Sequence, residues 1–533
     1  MHPSLTRARL RFRLPLLAAC LLALPGGAAN AQTFRSDDAV PRRIWADGME
    51  RSQAERFAQV LMDSIGPRLS GTPGFTGAVE WLERTYATLG IPTRREQYGT
   101  WRGWRRGTLH VDLLSPWVTT LEARFSAWSP GSGGPVEGDV IIIPEGLSPQ
   151  TLPTWLAGVR GKFVLASAPR PTCRAPDDFA ALARPETVAA ERAEVERRMG
   201  IWMRQVAVLG GMRNLGRRLE EAGAAGLFTH NWIGGNWEAG WGTSKIFDAG
   251  TTTIPSAELS CEDYGLLARL AANGQGPRVR VDARAEFTDP VPMFNVIAEL
   301  RGTELPDEYV VLSAHLDSEQ GATGATDNGT GTIMMLEAMR LLKAAYPQPR
   351  RTTLVGHWGG EEQGLIGSRA FTEDHPEVLA GLQALFNQDN GTWRIEYVEA
   401  NAFLDAAGSL ARWLSRVPPE ITEHLRLGTP GEQVNGGSDH ASFVCHGVPA
   451  FRLQSNYEEY RRYTWHTNRD TFDKIVFDDL RNNATLVAML AYAASEDPER
   501  TPRTRALLGP DPETGQPREW PNCGAARRSY QQP

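Results

Sequence analysis

The chain has 533 residues, which is more than one ordinary domain and typical of two or three. Hydrophobic residues make up 41% and charged residues 22%, so a globular core is predicted and wholesale disorder is excluded. The formal net charge is −7, from 56 basic and 63 acidic residues, which argues against a nucleic-acid-binding protein because that function needs cationic surface.

The first 31 residues have the pattern of an export signal. Basic residues precede an apolar stretch from Leu14 to Leu24, and small residues end in Ala29-Asn30-Ala31, a cleavage pattern before Gln32. Lipoprotein cleavage at Cys20 is the alternative, and the apolar residues that continue past Cys20 argue against it. The apolar stretch is too short to cross a bilayer, and no later segment is long enough. We therefore predict a signal peptide at 1–31, no membrane span, and a periplasmic or extracellular location.

Four cysteines remain after the predicted signal, and they allow three complete disulfide pairings. They are Cys173, Cys261, Cys445 and Cys523. Export makes disulfides possible, and Cys173 and Cys261 are the favoured pair because they fall in the same candidate domain.

Residues 32–135 form the first predicted segment, the N-terminal part of a catalytic domain. Helices are predicted over 53–65 and 78–89, and a strand over 111–114. A run of glycine, serine and proline at 128–135 then predicts a turn or linker.

The sequence pattern of residues 136–287 differs from that of the first segment and predicts a small α/β module inserted into the larger domain. Short apolar strands alternate with helical segments there. The predicted strands are 139–143, 162–166, 226–229 and 278–283, and the clearest helix is 214–222.

In residues 288–497, longer predicted strands alternate with longer predicted helices. The predicted strands are 295–300, 309–314, 352–358, 383–387 and 450–453, with helices at 331–344, 365–374 and 409–415. This alternation predicts an α/β fold with a mostly parallel mixed sheet flanked by helices, whose ligand site lies at the carboxyl ends of the strands. The proline- and arginine-rich tail, 498–533, is predicted to be disordered and without a catalytic role.

Polar side chains follow several of these strands. His315 and Asp317 come directly after the strand 309–314, and the carboxylate of Asp317 can accept the spare ring N–H that a metal-bound histidine offers. A polar turn is the alternative for this pair. The glycine-rich loop 324–331 could cradle a phosphate, but it lacks the required motifs, and its charged group, Asp327, attracts a cation instead.

Glu361 and Glu362 follow the strand 352–358, and Asp389 follows the strand 383–387. Taken singly, each of these residues has an interpretation without a metal. The two glutamates could begin a solvated helix, Asp389 could belong to a turn, and His466 could be a surface histidine. As a set, however, His315, Asp327, Glu362, Asp389 and His466 supply nitrogen and oxygen ligands for two zinc ions if Asp327 bridges them. Glu361 is then the spare carboxylate that carries a proton during hydrolysis.

These motifs resemble the co-catalytic zinc aminopeptidases, a family that includes the glutamate carboxypeptidases and the transferrin-receptor-like proteins. The matching motifs are His315-x-Asp317, Asp327-Asn328-Gly329-x-Gly331, Glu361-Glu362-x-Gly364-Leu365-x-Gly367-Ser368, Asp389 and His466-Thr467-x-x-Asp470-Thr471. The resemblance implies that His315 and Asp389 hold one zinc ion, that Glu362 and His466 hold the other, and that Asp327 bridges them. It also implies that Asp317 orients His315 and that Glu361 is the general base.

The resemblance extends beyond the metal ligands and looks closest to secreted plasma-glutamate-carboxypeptidase-like enzymes. The segments 161–165 and 222–226 are similar to a protease-associated domain inserted before the metal-binding region. The segment 437–450 resembles the part of the family that lies beside the substrate.

We therefore expect an exported zinc-dependent exopeptidase acting on peptides, with aminopeptidase or dipeptidase activity favoured. A carboxypeptidase of the glutamate-carboxypeptidase type is the alternative, with Arg452, Arg461 and Arg462 as candidates for binding a terminal carboxylate. A non-catalytic, metal-stabilised binding protein is a third hypothesis. The sequence leaves the oligomeric state open, a homodimer included.

Overall fold

The structure is a computed structural model that describes residues 36–232, 238–240, 242–431, 436–510, 514–520 and 522–531. The predicted signal peptide, residues 1–31, lies outside the described residues. Among the residues that are described, no helix combines the length and the apolar character that a membrane crossing requires.

One mixed sheet organises the described part of the chain. Its strands are β1 (Thr93–Ser115), β2 (Thr119–Thr120), β3 (Ala123–Phe125), β4 (Val136–Ile142), β5 (Phe163–Leu165), β6 (Gly226–Thr229), β7 (Ser256–Leu259), β8 (Arg278–Leu300), β9 (Leu305–His315), β10 (Arg351–Trp358), β11 (Leu382–Gln388), β12 (Tyr397–Glu399), β13 (Arg426–Gly428) and β14 (Ala450–Gln454). Their spatial order is β13-β12-β14-β11-β9-β10-β8-β4-β5-β6-β7-β3, and β1 pairs with both β2 and β8.

Helices cover the sheet. They are α1 (Ala39–Trp45), α2 (Ala54–Gln59), α3 (Pro73–Thr88), α4 (Leu152–Ala157), α5 (Pro176–Leu182), α6 (Pro185–Val208), α7 (Met212–Glu221), α8 (Cys261–Ala272), α9 (Thr330–Ala345), α10 (Ile366–Asp374), α11 (Pro376–Gly381), α12 (Ala406–Leu414), α13 (Pro419–Thr422), α14 (Ala441–Val444), α15 (Tyr457–Glu459) and α16 (Phe477–Glu496). Short π-helical turns follow α1, α2 and α15, and another precedes α9.

The half formed by residues 288–497 is built on four parallel neighbours, β14, β11, β9 and β10, with β8 antiparallel beside β10. Every residue of β10 and of β11 is buried, which is the pattern of a parallel strand covered on both faces. Helices α9 and α16 pack against each other and against these strands. The predicted α/β class, with a mostly parallel mixed sheet flanked by helices, is confirmed.

The predicted inserted module contains a second parallel group, β4 to β7, and a hydrophobic cluster of its own. The sheet nevertheless continues without a break between the two halves. Strand β8 pairs with β4 near its start and with β10 near its end, so the predicted boundary at residue 287 falls inside one strand. The sequence pattern indicated two short strands there because Pro290 and Pro292 interrupt the apolar alternation.

Two disulfides fix loops outside the sheet. The favoured pair, Cys173 and Cys261, is bonded and holds the loop after β5 against the first residue of α8. Cys445 and Cys523 form the second disulfide.

The C-terminal tail differs from the disorder that its composition predicted. Cys523 joins it to the residue that follows α14, and Arg528 forms ion pairs with Glu373 and Asp374 at the end of α10. The amide of Thr100 in β1 also donates to the carbonyl of Arg528 at 2.9 Å. The prediction of disorder rested on composition, because the tail is rich in proline and arginine. The described part of the tail is instead held by a disulfide and by ion pairs to distant elements.

Candidate metal centre

Four of the predicted site residues lie at the ends of three neighbouring parallel strands. His315 is the last residue of β9 and is paired in register with Trp358, the last residue of β10. Glu361 and Glu362 follow β10 directly, and Asp389 follows β11. Because parallel strands end at the same edge of a sheet, the register brings these side chains together.

His315 is the centre of the first group. Its Nε2 lies 3.1 Å from Oδ1 of Asp389 and 3.3 Å from Oδ1 of Asp327. All three side chains are buried. Asp327 reaches this position from the π-helical turn at Ala325–Gly329, directly before α9.

His466 is the centre of the second group. Its Nε2 lies 2.8 Å from Oε2 of Glu362 and 3.3 Å from Oδ2 of Asp327. The two oxygens of Asp327 therefore face two different histidine–carboxylate groups. His466 itself has a left-handed backbone conformation with φ of 57°.

The charges of this centre suit metal cations. Burial alone would raise the pKa of Asp327, but hydrogen bonds from His315 and His466 hold it below its ordinary value. Burial and the charge of Asp327 raise the pKa of Glu362 well above its usual range. In addition, Oδ2 of Asp327 is buried, and among the described residues only the ring of His466, at 3.3 Å, approaches it as a donor. Buried carboxylates crowded around two histidines fit zinc, which takes imidazole nitrogen and carboxylate oxygen as ligands.

Asp317 contacts His315 in a different way from the predicted one. The Nδ1 of His315 lies 3.0 Å from the main-chain oxygen of Asp317, whereas the Asp317 carboxylate is 3.6 Å away, beyond hydrogen-bond length. That carboxylate instead accepts from the amides of Glu361 and Glu362, each at 3.2 Å. Asp317 thus fixes the β10 turn with its side chain and His315 with its backbone.

Arg68 is a residue that the sequence analysis missed. Its fully buried guanidinium donates to the carbonyl oxygens of Leu316, Thr323 and Gly324, which flank the loop carrying Asp327. Burial lowers the pKa of Arg68 to about 10, and the charges of Asp470 and Asp317 oppose that shift. The sequence signal was its segment, 65–71, which resembles the N-terminal signature of the zinc aminopeptidase family, but that resemblance implied no role for Arg68.

Asp470 holds the same loop from the other side. Its carboxylate accepts from the amides of Thr326 at 2.7 Å and Asp327 at 3.0 Å. The position of Asp327 therefore depends on a residue 143 positions away in the chain.

Asp470→Asn is expected to weaken zinc binding about 10- to 100-fold, because the loop amides lose a charged acceptor and Asp327 loses its fixed position. Titration of zinc against a competing chelator measures the affinity. Asp473→Asn, at an exposed aspartate three residues later, is the matched control and should leave it unchanged. Equal zinc affinity in the Asp470 variant and the control would show that the loop is held by other contacts.

Glu319 is a second residue that the sequence analysis did not select. One of its oxygens lies within 4.8 Å of ligand atoms of Glu362 and His466. Its Oε2 is buried without a donor among the described residues, and its amide donates to Oε1 of Glu362 at 3.1 Å. The only local signal was its place four residues after His315, in a loop that reads as an ordinary turn.

The predicted substrate-side segment also lies near this centre, since the charge of Asp439 adds to the effect of burial in raising the pKa of Glu361. Asp439 and His440 are fully buried, and burial raises the pKa of Asp439 to about 7. Burial lowers the pKa of His440 well below its ordinary value, and the charge of Arg452 contributes. Residues 432–435, just before this segment, lie outside the described residues.

The three arginines considered for a terminal carboxylate differ in position. Arg462 forms an ion pair with Asp177 of α5, in the predicted inserted module. The guanidinium of Arg461 stacks on Trp465 at 4.2 Å and on Tyr457 at 4.5 Å. Arg452 is buried in β14.

Comparison with known proteins agrees with this geometry. Residues 295–491 match the family described as Peptidase family M28. Carboxypeptidase Q from Bos taurus is 25% identical over 462 residues, which cover 86% of this chain and 89% of that protein.

Solved structures share the fold. A peptidase M28 precursor from Shewanella amazonensis has a TM-score of 0.63 at 23% identity, covering 89% of this chain and 98% of that one. A zinc aminopeptidase from Bacillus subtilis has a TM-score of 0.55 at 18% identity, covering 88% and 98%.

Proposed function

We propose that the chain is a metallo-exopeptidase of peptidase family M28, that it binds two zinc ions, and that it cleaves next to the amino end of peptides. The proposed ligands are His315 and Asp389 for one ion, Glu362 and His466 for the other, and Asp327 for both.

A single observation carries the proposal of two ions. The two oxygens of Asp327 each lie 3.3 Å from a different histidine, and each histidine also contacts a carboxylate that the other does not. A single ion would leave one of these buried groups with uncompensated negative charge.

Zinc at this centre would supply Lewis acidity for the scissile carbonyl and for the attacking water. Glu361 has no place in either ligand group, and the Asp317 carboxylate fixes its backbone beside them. Burial raises the pKa of Glu361 well above its usual value, and the charges of Asp389 and Asp439 contribute while His315 opposes them. Its carboxylate is therefore suited to accept the proton of the water and to deliver it to the leaving amine.

The charge beside the second group supports cleavage from the amino end. Glu319 places a carboxylate next to Glu362 and His466, and one of its buried oxygens has no donor among the described residues. The free ammonium of a peptide would supply that donor. Of the three arginines, Arg462 is already paired with Asp177, which weakens the carboxypeptidase alternative.

Peptides with a free amino end and an amidated carboxyl end are expected to be hydrolysed, and acetylated peptides with a free carboxyl end are not. Glu319→Gln should lower kcat/KM for the free-amine substrates about 10- to 100-fold, mainly through KM, because a charge-assisted hydrogen bond is lost. Mass spectrometry identifies the products, and initial rates give the constants.

Glu262→Gln, at an exposed position on α8, is the matched control. Cleavage of the acetylated but not the amidated peptides would establish the carboxypeptidase alternative. A fall in zinc content in the Glu319 variant would assign that residue to the metal instead of the ammonium.

We also propose that the chain is exported, with residues 1–31 as its signal. Two disulfides among the described residues are compatible with an oxidising compartment. The protease-associated character of residues 136–287 remains a proposal as well.

A further inference from the structure

A cavity of about 450 Å³ opens beside the metal centre, on the side of Glu362 and Glu319. Its other walls carry four aromatic side chains, Trp101, Trp128, Phe247 and Tyr530. Phe247 packs edge-on against His466 with ring centroids 5.5 Å apart, so the cavity reaches the proposed second metal group directly.

One wall comes from the C-terminal segment, residues 523–530. Tyr530 packs edge-on against Trp101 at 6.3 Å, and the guanidinium of Arg527 lies 4.9 Å from the same indole. Arg527 also donates to the carbonyl of Tyr530 at 2.7 Å, which braces the two residues against each other.

This wall is held in place by contacts outside the cavity. The Cys445–Cys523 disulfide fixes its start, and Arg528 pairs with Glu373 and Asp374. Its backbone lies so close to β1 that a Cβ at Gly99 would be 2.1 Å from the carbonyl oxygen of Arg528. Glycine at position 99 is therefore required for the segment to lie where it does.

Two of the charged side chains in the cavity pair with each other, and a third, Arg527, is held over Trp101 and against the carbonyl of Tyr530. Asp248 pairs with Arg102 at 2.7 Å, and Arg102 also lies over Trp128 at 4.5 Å. Glu319 is left at the end nearest the metal centre. The cavity thus has a carboxylate beside the reactive groups and an aromatic box beyond it, which fits an α-ammonium and a large apolar side chain on the same residue.

Resting on the proposed function, we propose that this cavity is the subsite for the side chain of the amino-terminal residue. It selects large aromatic or branched aliphatic side chains, and residues 523–530 are the wall that gives this selectivity. An alanine side chain would leave the aromatic box unfilled, whereas phenylalanine or leucine would displace water from it. A tail that composition marks as dispensable is then part of substrate recognition.

The test uses the full chain and chromogenic amides of alanine, leucine, phenylalanine and glutamate. The wild type is expected to favour phenylalanine and leucine over alanine by about tenfold or more in kcat/KM. Tyr530→Ala should lower the phenylalanine-to-alanine ratio about tenfold, through KM more than kcat. Tyr530→Phe should keep the ratio because the ring remains, and Gln516→Ala, at an exposed tail position, is the matched control.

A second variant removes the tether without touching the cavity. Cys445→Ser combined with Cys523→Ser should lower the same ratio with zinc content unchanged. An unaltered ratio in both Tyr530→Ala and the tether variant would overturn the proposal, as would a wild-type preference for glutamate. If the enzyme is active, either of these results would overturn the subsite proposal alone and leave the proposed exopeptidase activity intact. If no substrate is hydrolysed, unblocked peptides included, both proposals are overturned.

Discussion

Glu361→Gln is expected to lower kcat by about 10²- to 10⁴-fold while the zinc content of the chain stays at the wild-type level. The substitution keeps the size of the side chain and removes only its ability to take a proton. Glu361 lies outside both histidine–carboxylate groups, and its amide is held by Asp317, so neither the ligands nor the turn should change.

Zinc per chain is measured by mass spectrometry of the metal, and kcat is measured on a good amino-terminal substrate. Glu55→Gln, on the exposed side of α2, is the control for the loss of one surface charge. Wild-type turnover in the Glu361 variant would remove that residue from the reaction. Loss of zinc would instead make it a ligand.

Asp327→Ala is expected to remove both zinc ions, and His315→Ala only one, with activity falling by more than about 10³-fold in each case. The difference follows from geometry, because Asp327 faces both histidines whereas His315 contacts only the first group. Wild-type protein should contain about two zinc ions per chain, the His315 variant about one, and the Asp327 variant fewer than one.

His375→Ala is the control, since His375 is a partly exposed histidine paired with Glu96 and Glu377, away from the proposed ligands. Folding of each variant is checked by its thermal transition in the presence of chelator, where metal no longer contributes to stability. Equal zinc content in the Asp327 and His315 variants would contradict a bridging role for Asp327.

The sequence located His315, Glu361, Glu362 and Asp389 because each follows a strand that is almost entirely apolar. A buried parallel strand has to end where polar residues begin, so the strand ends were visible without a structure. The same reasoning missed most of β1 and the middle of β8, since these strands pair with each other over long stretches that are partly exposed.

The contacts of Asp317 could not be predicted fully from its motif. Its spacing from His315 predicted a side-chain contact; the carboxylate lies 3.6 Å from the ring, and the main-chain oxygen of Asp317 lies closer, at 3.0 Å. The carboxylate is then available to the amides of Glu361 and Glu362, which belong to the neighbouring strand end. Only the position of β10 beside β9 could reveal this.

The sequence by itself determined the fold class and predicted a set of nitrogen and oxygen ligands with a spare glutamate beside them, because these follow from local apolar patterns and from ligand chemistry. Only the tertiary structure decided that Asp327 faces both histidines, that Arg68 and Asp470 hold its loop, and that Glu319 and Tyr530 line one cavity. Those contacts join residues far apart in the chain. Strand register, a disulfide and ion pairs determine these contacts, and none of the three can be derived from the hydrophobic periodicity of the sequence.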